Sequence, residues 1–216
     1  MNKFHRHLNI PDDLIPKIDF SQWKTDGYQW HEFHKNLTFS QLGNPKIEKW
    51  LKSLGISSYW IEVFYTPPNS SGIIHSDNGM GEDWTKIIYQ FGAKGSTMRW
   101  WNSTNIFQLS PETEQYIKDN MKNIKGVPGK DAFGDNVDCH YSQKVLMSLE
   151  KDATLVYEAE IGKASLVNTG PLHSSYNPTN EKRFVVTIGL FNKSFDAYSE
   201  RLLWDNAIVK MKDYLK

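Results

Sequence analysis

Between positions 58 and 191 the chain repeats runs of five to nine residues, rich in aromatic and β-branched side chains and bounded by Gly, Pro, Asn or Ser. Such punctuation leaves little room for long helices and calls for short strands joined by turns. The runs fall at 58–66, 72–77, 83–91 and 96–101, then, after an interruption, at 153–160, 164–168, 172–176 and 183–191. Eight short strands split four and four predict a mainly β protein with flanking helices, folded as a double-stranded β-helix, the jelly-roll form.

The interruption reads differently. Ser110 caps a helix that starts at Pro111, with Glu112 and Glu114 in the first turn where the helix dipole favours acids. That helix ends by Gly126, and 127–142 form a loop broken by Pro128-Gly129 and Gly134-Asp135-Asn136. Upstream, 44–55 predict a helix with Asn44 as N-cap, Pro45 at its first position and Gly55 as its stop. Ile47, Trp50, Leu51 and Leu54 share one face of it. A shorter helix is expected at 28–36 within an otherwise irregular 1–44. The stretch 197–215 carries Tyr198, Leu202, Leu203, Ala207, Ile208 and Met211 near helical spacing. The expected organisation is one domain over 1–216: a helical flank at 1–56, a jelly-roll core at 57–191 with an insert at 103–150, and a C-terminal helix at 192–216.

Composition narrows the function classes. Acidic and basic residues balance at 25 each, so no whole-surface field draws duplex nucleic acid or membrane. A single cysteine, Cys139, cannot form an internal disulfide. No apolar run approaches the roughly 20 residues that span a bilayer. The first residues, MNKFHRHLNIPDD, have no apolar stretch behind their basic ones, and a cytoplasmic protein is the expectation.

The chemistry-bearing pattern begins with His75-Ser76-Asp77, in GIIHSDNG at the end of the second strand. Alternate strand residues share a face, so imidazole and carboxylate project together. With a third ligand from elsewhere they form a 2-His-1-carboxylate face that leaves positions open on a non-haem iron. An ordinary strand-end histidine is the competing explanation, because seven His and 25 acids supply such triplets by chance. His173, in GPLHSSYNPTNEKRF at the start of a late strand, is the candidate third ligand. Arg183 follows ten positions later, one of only four Arg in the chain. Its guanidinium is a planar, bidentate, permanently charged partner for a carboxylate.

His-x-Asp, a long gap, then His with a basic residue ten positions on resembles the Fe(II)/2-oxoglutarate-dependent oxygenase superfamily, in its prolyl-hydroxylase-like form. The resemblance covers roughly 58–191 and implies a dioxygenase. It implies that His75, Asp77 and His173 bind Fe(II) and that Arg183 holds the distal carboxylate of 2-oxoglutarate. Several branches carry a hydroxyl residue two places after that Arg, whereas Val185 stands here, so the clamp must be completed otherwise. Tyr89 on the third strand and Thr187 on the last are the candidates. Hydroxylation is the implied outcome, and Asp77 fills the coordination position that a halogenase leaves to halide. The substrate class stays open among a protein side chain, an amino acid and a small metabolite.

Other residues are weaker candidates. Trp100 and Trp101 must face opposite sides of the fourth strand, one of them toward the pocket. Trp101 and Arg99 stand as candidate substrate contacts, and Asn168 as a neighbour of the site. His31 and His34 lack a partner motif for zinc, and Cys139-His140 lacks a second thiol. Two alternatives keep the fold and change the function: a jelly-roll binding module without catalysis, and a cupin-type metal-dependent isomerase, which has no use for Arg183.

Overall fold

The computed structural model describes residues 2–21, 23, 25, 37–77, 83–108, 146–192 and 200–216. The expected helices at 28–36 and 111–126, the loop 127–142, His31, His34, Cys139 and His140 lie outside these residues. In chain order come β1 (His5–His7), α1 (Lys46–Ser53), β2 (Ile56–Ser57), β3 (Ile61–Thr66), β4 (Ser70–Ser71), β5 (Ile74–Ser76), β6 (Thr85–Phe91), β7 (Thr97–Ser103) and β8 (Phe107–Gln108). They are followed by β9 (Leu146–Ser148), β10 (Ala153–Glu160), β11 (Ser165–Asn168), β12 (His173–Asn177), β13 (Arg183–Gly189), β14 (Phe191–Asn192) and α2 (Trp204–Lys210).

The eight expected strands are all present, as β3, β5, β6, β7, β10, β11, β12 and β13. They pair first with last: β3 with β13, β5 with β12, β6 with β11 and β7 with β10, all antiparallel. The chain is thus a long double strand folded back on itself and wound so that successive turns alternate between two sheets. One sheet runs β1-β11-β6-β13-β3 and the other β10-β7-β12-β5-β9-β8. This is the topology of a double-stranded β-helix.

Strand alternation divides the interior in two. Ile61, Val63 and Tyr65 of β3, Ile87 and Tyr89 of β6, and Phe184, Val186 and Ile188 of β13 point out of the barrel into the larger core. There they meet Ile47, Trp50 and Leu51 of α1 and Trp204 and Ala207 of α2. Burying each such side chain contributes roughly 1.5–3 kcal/mol before entropy is counted. The opposite faces turn between the sheets, where Ile88, Met98, Trp100, Ile161, Val167 and Val185 form a second, smaller apolar cluster. That cluster closes one side of the barrel and leaves the other for polar residues.

Several local expectations are corrected. Helix α1 starts one residue later than expected, and Asn44 Oδ1 accepts the Lys46 N–H at 3.2 Å. Gly55 takes φ +64°, the left-handed conformation that ends helices. The N-terminal flank is not only helical: His5–His7 add an edge strand beside β11, paired through backbone and so invisible to side-chain propensity. The last strand breaks at Gly189, and Phe191–Asn192 pair with Ile56–Ser57 instead. The C-terminal helix is shorter than its apolar spacing suggested, because Arg201 and Leu203 form bridges with Phe191 and Trp84. No helix among the described residues is long and apolar enough to cross a membrane.

Two stability predictions follow from this packing. A Cβ added at Gly189 would lie 2.7 Å from Cζ2 of Trp84, an indole only 1% exposed. Gly189→Ala is expected to lower stability by about 1–3 kcal/mol in chemical denaturation. On β1, His5 Nε2 donates to Ser165 Oγ at 2.9 Å, since that hydroxyl gives its own proton to the Ile161 carbonyl. Burial, with His7 and Arg6 nearby, pushes the His5 pKa from 6.5 down to about 4. The folded state therefore binds fewer protons than the unfolded one between those values. Stability should be complete above pH 6.5 and fall toward pH 4, by on the order of 3 kcal/mol from this group. His5→Gln should flatten that slope in Tm measured against pH.

Candidate metal centre

His173 on β12 lies directly opposite His75 on β5 in antiparallel register. Cross-strand partners project to the same face with Cβ atoms about 5 Å apart, so the register alone brings two distant imidazoles together. Their ring centroids are 4.5 Å apart. Asp77, two residues past His75, returns to the same face, and its N–H bonds the Thr169 carbonyl at 3.2 Å. One ligand atom from each of His75, Asp77 and His173 lies within 4.8 Å of the others, a grouping that could hold a metal ion.

The backbone fixes how these rings present themselves. His75 Nδ1 donates to the Ile73 carbonyl at 2.9 Å, and His173 Nδ1 to the Pro171 carbonyl at 3.0 Å. A carbonyl only accepts, so each Nδ1 carries hydrogen, and a ring in its neutral form turns its Nε2 lone pair inward. Asp77 Oδ1 lies 3.3 Å from His75 Nε2 and 3.9 Å from His173 Nε2. Burial, with His75 next, pushes the His173 pKa down to about 4, so this ring is neutral near pH 7. Two imidazole lone pairs and a carboxylate oxygen converging on one point repel each other unless a cation sits between them. Backbone-fixed tautomers of this kind are the usual support of metal-bound histidine.

The other carboxylate oxygen, Asp77 Oδ2, accepts from Lys86 Nζ at 2.8 Å. Lys86 also lies 3.5 Å from Glu62 Oε2, and Lys86 and Glu62 are 4% and 2% exposed. Burial alone would raise the Asp77 pKa, but the Lys86 ammonium holds it well below the carboxylate range. Burial likewise opposes charge on Lys86, and Asp77 and Glu62 together raise its pKa nonetheless. Sequence reading missed both residues. The signal was a lone charge in each of two otherwise uncharged strands, IEVFYT and TKIIYQF, at the parity that faces inward.

The three donors open into a cavity lined also by Thr66, Lys86, Thr169, Ser175, Arg183 and Thr187. Arg183 is 3% exposed. Its Nε donates to Gln90 Oε1 and one terminal nitrogen to Thr66 Oγ1, both at 3.2 Å. Thr66 is its cross-strand partner on β3, and Thr66 Oγ1 lies 3.3 Å from Ser175 Oγ. Thr187 shares the inward face of β13 and its buried hydroxyl has no hydrogen-bond partner among the described residues. Val185, between them, lines the cavity with its methyls.

Three expected contacts lie elsewhere. Tyr89 has the wrong parity: Lys86 and Ile88 line the cavity, and Tyr89 is sealed in the outer core, its hydroxyl without a partner among the described residues. Burial there raises its pKa. Trp101 and Arg99 are likewise on the outward face of β7. The Trp101 indole donates to Ser174 Oγ at 2.9 Å, among Ile74 and Leu172. Arg99 pairs with Glu158 at 2.8 Å and lies 3.6 Å over the Tyr176 ring. Trp100 is the tryptophan that faces inward, donating to the Asn168 carbonyl at 2.8 Å. Asn168 Oδ1 in turn accepts the Gly170 N–H at 3.1 Å, shaping the turn that carries the Pro171 carbonyl.

No family model matches the sequence, and no curated protein matches it. Among solved structures, an oxalate oxidase in complex with the substrate analogue glycolate is 12% identical, over 83% of this chain and 60% of that one, with a TM-score of 0.32. E. coli ycfD is 13% identical, over 70% and 29%, with a TM-score of 0.31. RmlC from Streptococcus suis is 10% identical, over 76% and 57%, with a TM-score of 0.27. The chain thus spans 60% or less of the length of these three proteins. Neither family nor activity follows from likeness this remote, and the fold assignment rests on the strand pairing itself.

Proposed function

We propose that this protein is an Fe(II)- and 2-oxoglutarate-dependent dioxygenase that hydroxylates a protein side chain, an amino acid or a small metabolite. The observation that carries the reading is Arg183: a buried guanidinium with only neutral partners among the described residues, lining the same cavity as the three donors. Burial pushes its pKa down to about 10, with no neighbouring carboxylate among the described residues to offset the loss of water. A buried, unpaired charge costs several kcal/mol and calls for an anion.

Charge counting supports the same ligand class. Among the described residues, Asp77 and Glu62 carry two negative charges into this region, and Lys86 and Arg183 two positive ones. A divalent ion held by His75, Asp77 and His173 therefore leaves an excess of two, which a dicarboxylate cancels. Two neutral nitrogens and one carboxylate oxygen suit iron(II) and leave coordination positions open. When bound, iron and 2-oxoglutarate supply the oxidising chemistry, in which dioxygen converts the keto acid to succinate and carbon dioxide as the substrate is hydroxylated.

The chain's own residues do the rest. Arg183, supported by Gln90, grips the distal carboxylate, and the hydroxyls of Thr66, Ser175 and Thr187 supply the donors that Val185 lacks. Phe64, Ile88, Met98 and Val185 keep water from the reacting groups. A cupin-type isomerase would use the metal and leave Arg183 unexplained.

The test is an anaerobic titration with iron(II), then 2-oxoglutarate, reading the visible charge-transfer band of the chelated keto acid. The band should appear in wild type and vanish in His75→Ala and Asp77→Ala. Tight iron binding without a band would favour the isomerase, and binding of neither would leave a binding module. Arg183→Met should retain iron but raise the half-saturating 2-oxoglutarate concentration about thirtyfold or more. The same variant should be more stable than wild type without ligand, by about 1–4 kcal/mol, because an unpaired buried charge is gone.

A further inference from the structure

The metal donors alone do not account for Lys86 and Glu62. A salt-bridged lysine inside a barrel is costly to desolvate, and packed apolar residues of the same volume would often serve stability as well. Its geometry is specific. Nζ lies 2.8 Å from Asp77 Oδ2, 3.5 Å from Glu62 Oε2 and 4.6 Å from the centroid of the Trp84 ring. Lys86 and Glu62 are almost fully buried and Trp84 is 1% exposed, so water has little access to replace these contacts. Asp77 is thereby split into two unlike oxygens: Oδ1 faces both imidazole Nε2 atoms, and Oδ2 is turned away and engaged by the ammonium.

We propose that Lys86 is a positioning residue for the metal centre: by holding Asp77 Oδ2 it confines that carboxylate to one donor oxygen, and Glu62 is the counter-charge that keeps the ammonium in place. The inference rests on the metal site of the reading above and not on its co-substrate. Three single-atom donors on an octahedral ion leave three positions for other ligands, and a two-oxygen carboxylate would leave two. Lys86 thus sets how many positions stay open. It does so at the expense of affinity, because its positive charge sits beside a divalent cation.

That trade gives a sign that a merely structural lysine would not produce. The probe is Mn(II) alone, with free metal counted by electron paramagnetic resonance and inner-sphere water by proton relaxation. Wild type should hold about three waters on the bound ion. Lys86→Met should bind Mn(II) at least about tenfold more tightly with one water fewer, and Lys86→Arg should restore the wild-type water count. Unchanged water and affinity in Lys86→Met, or weaker binding, overturns the role. Should Lys86→Met not fold, Glu62→Gln decides. It removes the counter-charge that keeps the ammonium in place, so Asp77 should be freed to use both oxygens and the water count should fall by about one, and an unchanged count overturns the role. A wild-type protein that binds no Mn(II) overturns the metal site and this role together. One that binds Mn(II) yet gives no keto-acid band overturns the oxygenase reading alone, and the water counts then still decide Lys86.

Discussion

The register of β5 against β12 is the constraint on which the site depends. A shift of one residue in that pairing would turn His173 to the outer face of the sheet and leave His75 and Asp77 as two unassisted donors. The register is held from several sides. Trp100 stands on the far side of His173 in the same cross-strand row, and its indole is tied to the Asn168 carbonyl. Gly72 backs against Ser175, and Asn177 reaches the carbonyls of Thr66, Pro67 and Glu181. Each of these contacts fixes β12 along its length, so the metal donors inherit their alignment from a network that touches no metal.

The barrel interior carries an electrostatic load that its small apolar cluster cannot offset alone. Among the described residues, four charged side chains lie between the two sheets or at their mouth, and each gives up hydration. The compensating burial lies outside the barrel, where one sheet packs under α1, α2 and the N-terminal segment. The two faces of β6 show the division within a single strand: Ile87 and Tyr89 pack in the outer core, and Lys86 lines the cavity beside Asp77. Stability and chemistry are thus assigned to opposite sides of the same backbone.

The fold was largely legible in the sequence because each principal strand announces itself locally, by side-chain type and by the residues that stop it. His75-Ser76-Asp77 and the spacing from His173 to Arg183 were legible for the same reason. What depends on parity or on a distant partner was not. Tyr89 was placed on the wrong face, since apolar residues on both faces of β6 hide its inward side. Trp100 and Trp101 could not be told apart until the register of β7 was known. Lys86, Glu62, Thr66 and Ser175 acquire meaning only from neighbours on other strands. The strand His5–His7 escaped notice because its three polar and basic side chains carry no strand propensity and its pairing with β11 depends on a distant partner.

The first-with-last pairing of the strands has a consequence for how the molecule comes into being. Nearly every principal contact joins an early segment to a late one, β3 to β13 and β5 to β12 above all. Loop closure over such spans carries a large entropic toll before any contact returns it, and proteins of this kind fold slowly. Neither half of the chain holds the full donor set, so a nascent polypeptide emerging with His75 and Asp77 cannot complete the centre until β12 arrives. A metal held by these three donors would therefore be captured late in folding rather than at nucleation, and the tertiary framework would have to form without it.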